Sequence, residues 1–295
     1  EEIGGSNYLV RLANSAVSLD YAKNYAQIIY DLAVRRGLFE LGIKIQHDAI
    51  ESDLDTKPDD LIEDTEKNLY QLSEKGVSQN NVQTFQTSLE EAIELAKKAF
   101  EKDSSVVGIS SDFTDLDAKL GGFHPSDLII IAGRPSMGKT SLATNIAFNI
   151  AKNAQLSSDM GSSVLFFSLE MSSEQLARRI LSEQAKISSN DIRRGNLSEN
   201  DLDNLVSVSK NILEIPLFID DTAAINIGSL SSRARRLKRK NGLGAIVVDY
   251  LQLLRPGKNS RNESRVLEIS EITQGLKALA KELAVPVLAL SQLSR

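Results

Sequence analysis

The 295 residues are 41% hydrophobic and 25% charged, a balance that excludes a disordered chain and leaves room for about two domains. No run approaches the roughly 18 apolar residues that a membrane helix needs, and the lack of cysteine excludes disulfides and thiolate metal sites and fits a reducing, cytoplasmic setting. The net charge of −6 divides unevenly: residues 1–103 hold 20 acids and 11 bases (−9), residues 104–295 hold 20 and 23 (+3), so an anionic partner should meet the second half.

The start, Glu1-Glu2-Ile3-Gly4-Gly5, has no basic-then-apolar leader. In Asp20–Glu51, Ala22, Tyr25, Ala26, Ile29, Leu32 and Ala33 recur at helical spacing. That spacing predicts a helix with one buried stripe, bent or interrupted at Gly37. Pro58-Asp59-Asp60 places proline in a first turn and carboxylates at the positive dipole end, so a second helix should run from there to Gly76. Residues 1–80 are therefore expected to form a small all-helical domain, incomplete at its start. His47 and His124 stand alone in polar contexts and read as surface positions.

Residues 76–84 have little to bury and read as a linker. In the segment 81–105, Phe85, Leu89, Ala92, Ile93, Ala96 and Phe100 share one face of an isolated helix, with Glu94 placed to pair with Lys98. Such a helix is marginal alone in water, so its apolar face should dock, either on its own domain or on a neighbouring subunit.

From residue 106 the pattern becomes α/β. Short apolar runs at 128–132, 164–167, 216–219, 245–248 and 286–290 alternate with helical segments, which predicts a mostly parallel sheet buried on both faces. Between the first run and the next helix lies Gly133-Arg134-Pro135-Ser136-Met137-Gly138-Lys139-Thr140, a complete G-x-x-x-x-G-K-[ST] P-loop, with Ser141 following. Its glycines let backbone N–H groups close around phosphates at a helix N-terminus. Lys139 is suited to the β- and γ-phosphates of ATP, and the Thr140 hydroxyl to a Mg²⁺ shell.

Three other strands end in polar residues at the same edge: Glu170, Asp249 and Gln292. Asp249 suits a metal-bound water. Tyr250 follows it, not a glutamate, so Glu170 is the better residue to orient or deprotonate the attacking water. Gln292 is placed to sense the γ-phosphate by hydrogen bonding. Asp220 and Asp221 also end a strand and read as loop caps.

Two basic features remain. Arg233, Arg235, Arg236, Lys238, Arg239 and Lys240 crowd one helix and read as a solvated face, with phosphate or subunit contact as the alternative. The loop Arg255–Arg265 carries Arg255, Lys258, Arg261 and Arg265 and is a candidate for contact with a single-stranded DNA backbone.

Several segments together resemble the DnaB family of bacterial replicative helicases. They are Gly133–Thr140, Phe167-Ser168-Leu169-Glu170-Met171, Asp249-Tyr250-Leu251-Gln252-Leu253, Leu276–Glu282 and Leu290-Ser291-Gln292-Leu293-Ser294-Arg295. The resemblance implies a RecA-like motor over 106–295, a homo-hexameric ring around single-stranded DNA, and 5′-to-3′ unwinding driven by ATP. It also implies contacts with primase and a helicase loader, and a linker helix docked on the adjacent subunit. It gives Lys139, Thr140, Glu170, Asp249 and Gln292 the roles argued above. A second DNA-binding loop and an arginine finger would fall beyond Arg295 and cannot be placed. A recombination or clock-type ATPase shares the P-loop and sheet but not the segments after Asp249; a nucleotide-dependent scaffold would not need Lys139 and Glu170 intact.

Overall fold

Helix α1 runs unbroken from Leu19 to Glu51, and α2 from Pro58 to Glu74; the two pair within the first of two units, residues 1–83. Gly37 does not interrupt α1. A Cβ there would lie 2.4 Å from Leu72 Cδ1, so the glycine admits α2 at close range. The predicted stripe is corrected as well. Tyr25, Ile29 and Leu32 are more than half exposed, while Val34, Gly37 and Leu41, with Asp48 further on, are half-buried. Helix length explains this: 33 residues span about 50 Å and 17 about 25 Å, so α2 covers only part of α1. The computed structural model describes residues 19–51, 58–74, 84–101, 106–156, 163–255 and 265–293.

In the second unit, residues 84–295, α3 spans Phe85–Glu101. Its apolar face is uncovered: Phe85 is 81% and Phe100 92% exposed, and Leu89 and Ile93 are also open. Of the two docking options, cover from its own unit is absent among the described residues.

The remainder is a five-stranded sheet: β1 (Leu128–Gly133), β2 (Val164–Ser168), β3 (Leu217–Asp220), β4 (Ala245–Asp249) and β5 (Val287–Gln292). The order is β1-β5-β4-β2-β3 and every pairing is parallel. Parallel strands need crossover connections. They are supplied by α5 (Lys139–Leu156), α6 (Ser173–Ala185), α7 (Ser189–Arg194), α8 (Glu199–Ile212), α9 (Ile227–Asn241) and α10 (Arg265–Glu282), while the short α4 (Thr114–Leu120) precedes the sheet.

Alternate side chains of a strand face opposite ways. Val164 and Phe166, Ala245 and Val247, and Leu288 and Leu290 point to one face and pack with Ala143, Ile146, Ala147 and Ile150 of α5. The intervening Leu165, Phe167, Ile246, Val248 and Ala289 are equally buried, because α9 and α10 provide a second layer. This two-faced burial is why β2 and β4 read as unbroken apolar runs. Four strands extend further than their apolar runs and take in a polar residue: Ser168, Asp220, Asp249 and Gln292 each occupy a last strand position. A parallel sheet brings all these ends to one edge.

Candidate nucleotide site

At that edge β1 ends in Gly133, and the chain turns through residues 134–138 into α5. Two positions need left-handed backbone: Ser136 at φ 63° and Gly138 at φ 83°. Glycine takes this conformation freely, whereas an L side chain at 138 would be strained. The Gly138 carbonyl accepts from Leu142 N, which closes the first turn of α5. The Lys139 ammonium folds back over the loop and donates to the carbonyl oxygens of Gly133 (2.8 Å) and Arg134 (3.0 Å).

A cavity of about 400 Å³ opens beside this loop. Pro135, Ser136, Gly138, Lys139, Thr140 and Ser141 line it from one side, and Glu170, Asp249 and Gln292 from the other. Gly133, Arg134 and Met137, also expected at the phosphates, do not line it. Gly133 and Arg134 serve through their carbonyls, and the Met137 side chain is exposed. The sheet order explains how the three strand-end residues meet. β5 lies between β1 and β4, so Gln292 pairs in register with Gly133, and Leu293 N donates to the Gly133 carbonyl. Asp249 pairs with Ser168, and its carbonyl accepts from Leu169 N, so the backbone of the Asp249 strand carries the turn that presents Glu170.

Asp249 is only 1% exposed, and its Oδ2 has no hydrogen-bond partner. Burial pushes its carboxyl above the ordinary carboxylate range. The nearby Thr140 hydroxyl and the charges of Arg179 and Lys139 hold it back, while Glu170 adds to the rise. Tyr250 also lines the cavity, its phenol pushed up by burial and by the Glu170 and Asp249 carboxylates. A buried carboxylate with one oxygen unpaired and a hydroxyl nearby suits a hydrated divalent cation. Among the described residues no cluster of three His, Cys, Asp or Glu suggests a metal held by protein ligands alone.

The sequence reading missed Arg179. It lines the cavity from α6, and its Nη1 is buried without a partner. Its neighbour Arg178 pairs instead with Glu174, one turn back. The signal was available: Arg179 stands three residues after Leu176 and next to Ile180, the two positions that mark the buried face of α6.

The other candidates lie elsewhere. Arg255 is exposed, with its backbone N–H bonded to the Ile225 carbonyl. Lys258 and Arg261 fall outside the described residues. Arg265 opens α10, where its guanidinium engages Glu268 and the Gln252 carbonyl. The basic helix α9 is corrected in part: the half-buried Arg235 binds Glu282 and the half-buried Lys238 reaches the Leu283 carbonyl, so these two cations fasten the fold. Arg233 is exposed, although it binds Asp220 and Thr222. Arg236, Arg239 and Lys240 are exposed as well. Asp220 and Asp221 do act as caps, accepting from Thr222 N and Ser173 N respectively.

Residues 108–295 match the family model of the DnaB-like helicase C terminal domain. The chain belongs to the DnaB-like helicase family. It is 45% identical, over its whole length, to the replicative DNA helicase DnaB of Rickettsia conorii, of which it covers 60%. It is 36% identical to the replicative DNA helicase DnaC of Bacillus subtilis, again over its whole length and 63% of that protein. The chain thus spans about three fifths of the length of the curated relatives it matches. Among solved structures, one described as a DnaB-like replicative helicase and its interactions with primase superposes with a TM-score of 0.67 at 31% identity, covering 99% of this chain and 65% of that one. A second, described as an ATPase domain, superposes at 0.63 and 35% identity, over 70% of this chain and 71% of that one. As a member of this family the chain has the RecA-like α/β fold, built on its five-stranded parallel sheet.

Proposed function

We propose that the protein is an ATP-dependent replicative DNA helicase that works as a homo-hexameric ring and moves 5′ to 3′ along single-stranded DNA. The observation that carries this reading is the cavity in which the P-loop meets Glu170, Asp249 and Gln292. In it the P-loop amides and Lys139 bind the phosphates, the ammonium leaving its two carbonyl partners to do so. Thr140, through its hydroxyl, and Asp249, whose Oδ2 has no protein partner, are the residues that would hold Mg²⁺. When bound, the ion neutralises charge on the phosphoryl oxygens. Glu170 orients and deprotonates the attacking water, and Gln292 contacts the γ-phosphate. The free Nη1 of Arg179 gives a second cation on the far wall.

We further propose three functional regions: a helical domain over 1–80, a linker over 81–105 and the motor over 106–295. The open face of α3 docks on the adjacent subunit, since an apolar helix face of this size is rarely left in water. Primase, as in the solved helicase described with it, and a helicase loader are the expected partners. No described helix is long and apolar enough to cross a membrane, and work at a bacterial replication fork implies the cytoplasm.

Strand displacement on forked duplexes by the assembled protein tests the reading. Unwinding that requires ATP, Mg²⁺ and a 5′ single-stranded tail, and is lost in Lys139→Ala, is expected. Strand exchange without unwinding would favour a recombination ATPase. Nucleotide binding with no DNA-stimulated turnover would favour a scaffold.

A further inference from the structure

Two residues past Asp249 the chain makes one turn of 3₁₀ helix, Leu251–Leu253. Leu251 and Leu254 are both 2% exposed and fix this turn in the core. Between them Gln252 is left facing the end of β5. Its Nε2 donates to the Gln292 carbonyl (3.1 Å) and to Ser291 Oγ (3.0 Å), and its Oε1 accepts from Gln292 N (3.2 Å).

This is the pairing one peptide group makes with another in a sheet, supplied by a side chain. It comes where the sheet has run out. The β4–β5 ladder stops at Val248 and Ala289, so Leu290, Ser291 and Gln292 have no strand partner on that side. On the other side β1 pairs with them to the end, Gly133 opposite Gln292. Without Gln252 the last residue of β5 would be held from one side only. The carboxamide has a donor and an acceptor spaced like a peptide, which a carboxylate lacks. The turn is itself braced, because the Gln252 carbonyl accepts from the Arg265 guanidinium at the start of α10.

We infer that Gln252 is a positioning residue for ATP hydrolysis: it extends the sheet by one side-chain bridge and so aims Gln292 at the γ-phosphate. This rests on the proposed role of Gln292. Gln252 does not line the nucleotide cavity and touches no reacting atom. Its effect must therefore pass through the end of β5, Ser291 and Gln292, of which only Gln292 lines the cavity. A 1 Å misplacement of a catalytic group costs up to about 10²-fold in rate.

The test is a double-mutant cycle with Gln252→Ala and Gln292→Ala in the assembled protein, read by single-turnover ATP hydrolysis and by the Kd of a non-hydrolysable ATP analogue. Gln252→Ala alone should slow the chemical step roughly tenfold to a hundredfold while the Kd stays within about threefold. In the Gln292→Ala background the same change should cost no more than about twofold. Gln252→Glu, nearly isosteric, keeps an acceptor for Gln292 N but sets a carboxylate against the Gln292 carbonyl, and should resemble the alanine variant. Equal losses in both backgrounds, or a wild-type rate for Gln252→Glu, would overturn the inference and leave the role of Gln292 standing. If Gln292→Ala alone hydrolyses at the wild-type rate, both fall together.

Discussion

Changing Glu170 to glutamine removes a charge and nearly nothing else. The residue sits on an exposed bend past β2, lines the nucleotide cavity and makes no ion pair among the described residues, so the amide fits the same space. Two consequences follow from its surroundings. Loss of the base should slow hydrolysis by at least about 10²-fold, the lower end for a positioned general base. Metal and nucleotide binding should survive or tighten, because Glu170 is one of the causes that hold the Asp249 carboxyl above its ordinary range. Without that neighbouring charge Asp249 ionises more readily and has more negative charge to offer Mg²⁺. Rapid-quench hydrolysis at saturating ATP, beside titration with a fluorescent ATP analogue at varied Mg²⁺, separates the two effects. A single-turnover rate within a few-fold of wild type would refute the assignment and move the base to Asp249, the other carboxylate that lines the cavity.

Asp249→Asn should raise the melting temperature of the nucleotide-free protein at neutral pH while ending Mg²⁺-dependent hydrolysis. A carboxyl with a raised folded pKa favours the folded state at acidic pH, and that advantage is lost as pH climbs from the unfolded value through the folded one; differential scanning calorimetry from the ordinary carboxylate range up to neutral pH should show the wild-type and asparagine curves separating as pH rises, and parallel curves would remove the burial argument. Phe85→Asp with Ile93→Asp should break the ring and leave the motor folded, since both side chains are already in solvent within one chain; unchanged hexamers in analytical ultracentrifugation would sink the docking proposal. Arg255→Ala with Arg261→Ala should lower the salt slope of single-stranded DNA binding by about one to two, from roughly 0.7 per phosphate contact; an unaltered slope in fluorescence anisotropy would return this loop to ordinary surface.

The sheet was legible because it is simple chemistry repeated. Residues 164–167 and 245–248 are buried on both faces and are accordingly apolar at every position, so their limits could be read to within a residue. The P-loop was legible for a related reason: Gly138 must take φ 83°, and a strand before it and a helix after it confine the glycine to one use. The helical region was harder. Tyr25, Ile29 and Leu32 share a face at helical spacing, but spacing reports amphipathicity and not what covers the face. Val34, Gly37 and Leu41 are the positions α2 reaches, and only its length and approach at Leu72 select them. Gly37 shows the same gap: the sequence marks a residue without a side chain, and the packing decides whether that means a bend or a close contact.

The site divides along the same line. Lys139, Thr140, Glu170, Asp249 and Gln292 stand at the ends of runs whose direction was already known, so one edge of a parallel sheet had to collect them. Arg179 and Gln252 owe their positions to the phase of a helix and the bend of a 3₁₀ turn, which the order of strands does not determine. Arg178 and Arg179 differ by about 100° of rotation. That alone sends one to a surface pair with Glu174 and the other, its Nη1 unpaired, into the nucleotide cavity. Gln252 was visible as part of Asp249-Tyr250-Leu251-Gln252-Leu253, yet its chemistry appears only once the β4–β5 ladder is seen to stop at Ala289 and leave the Gln292 peptide in need of a partner. Residues that touch the substrate can be read from where strands end. Residues that hold them still are read from which backbone groups the strands leave unpaired.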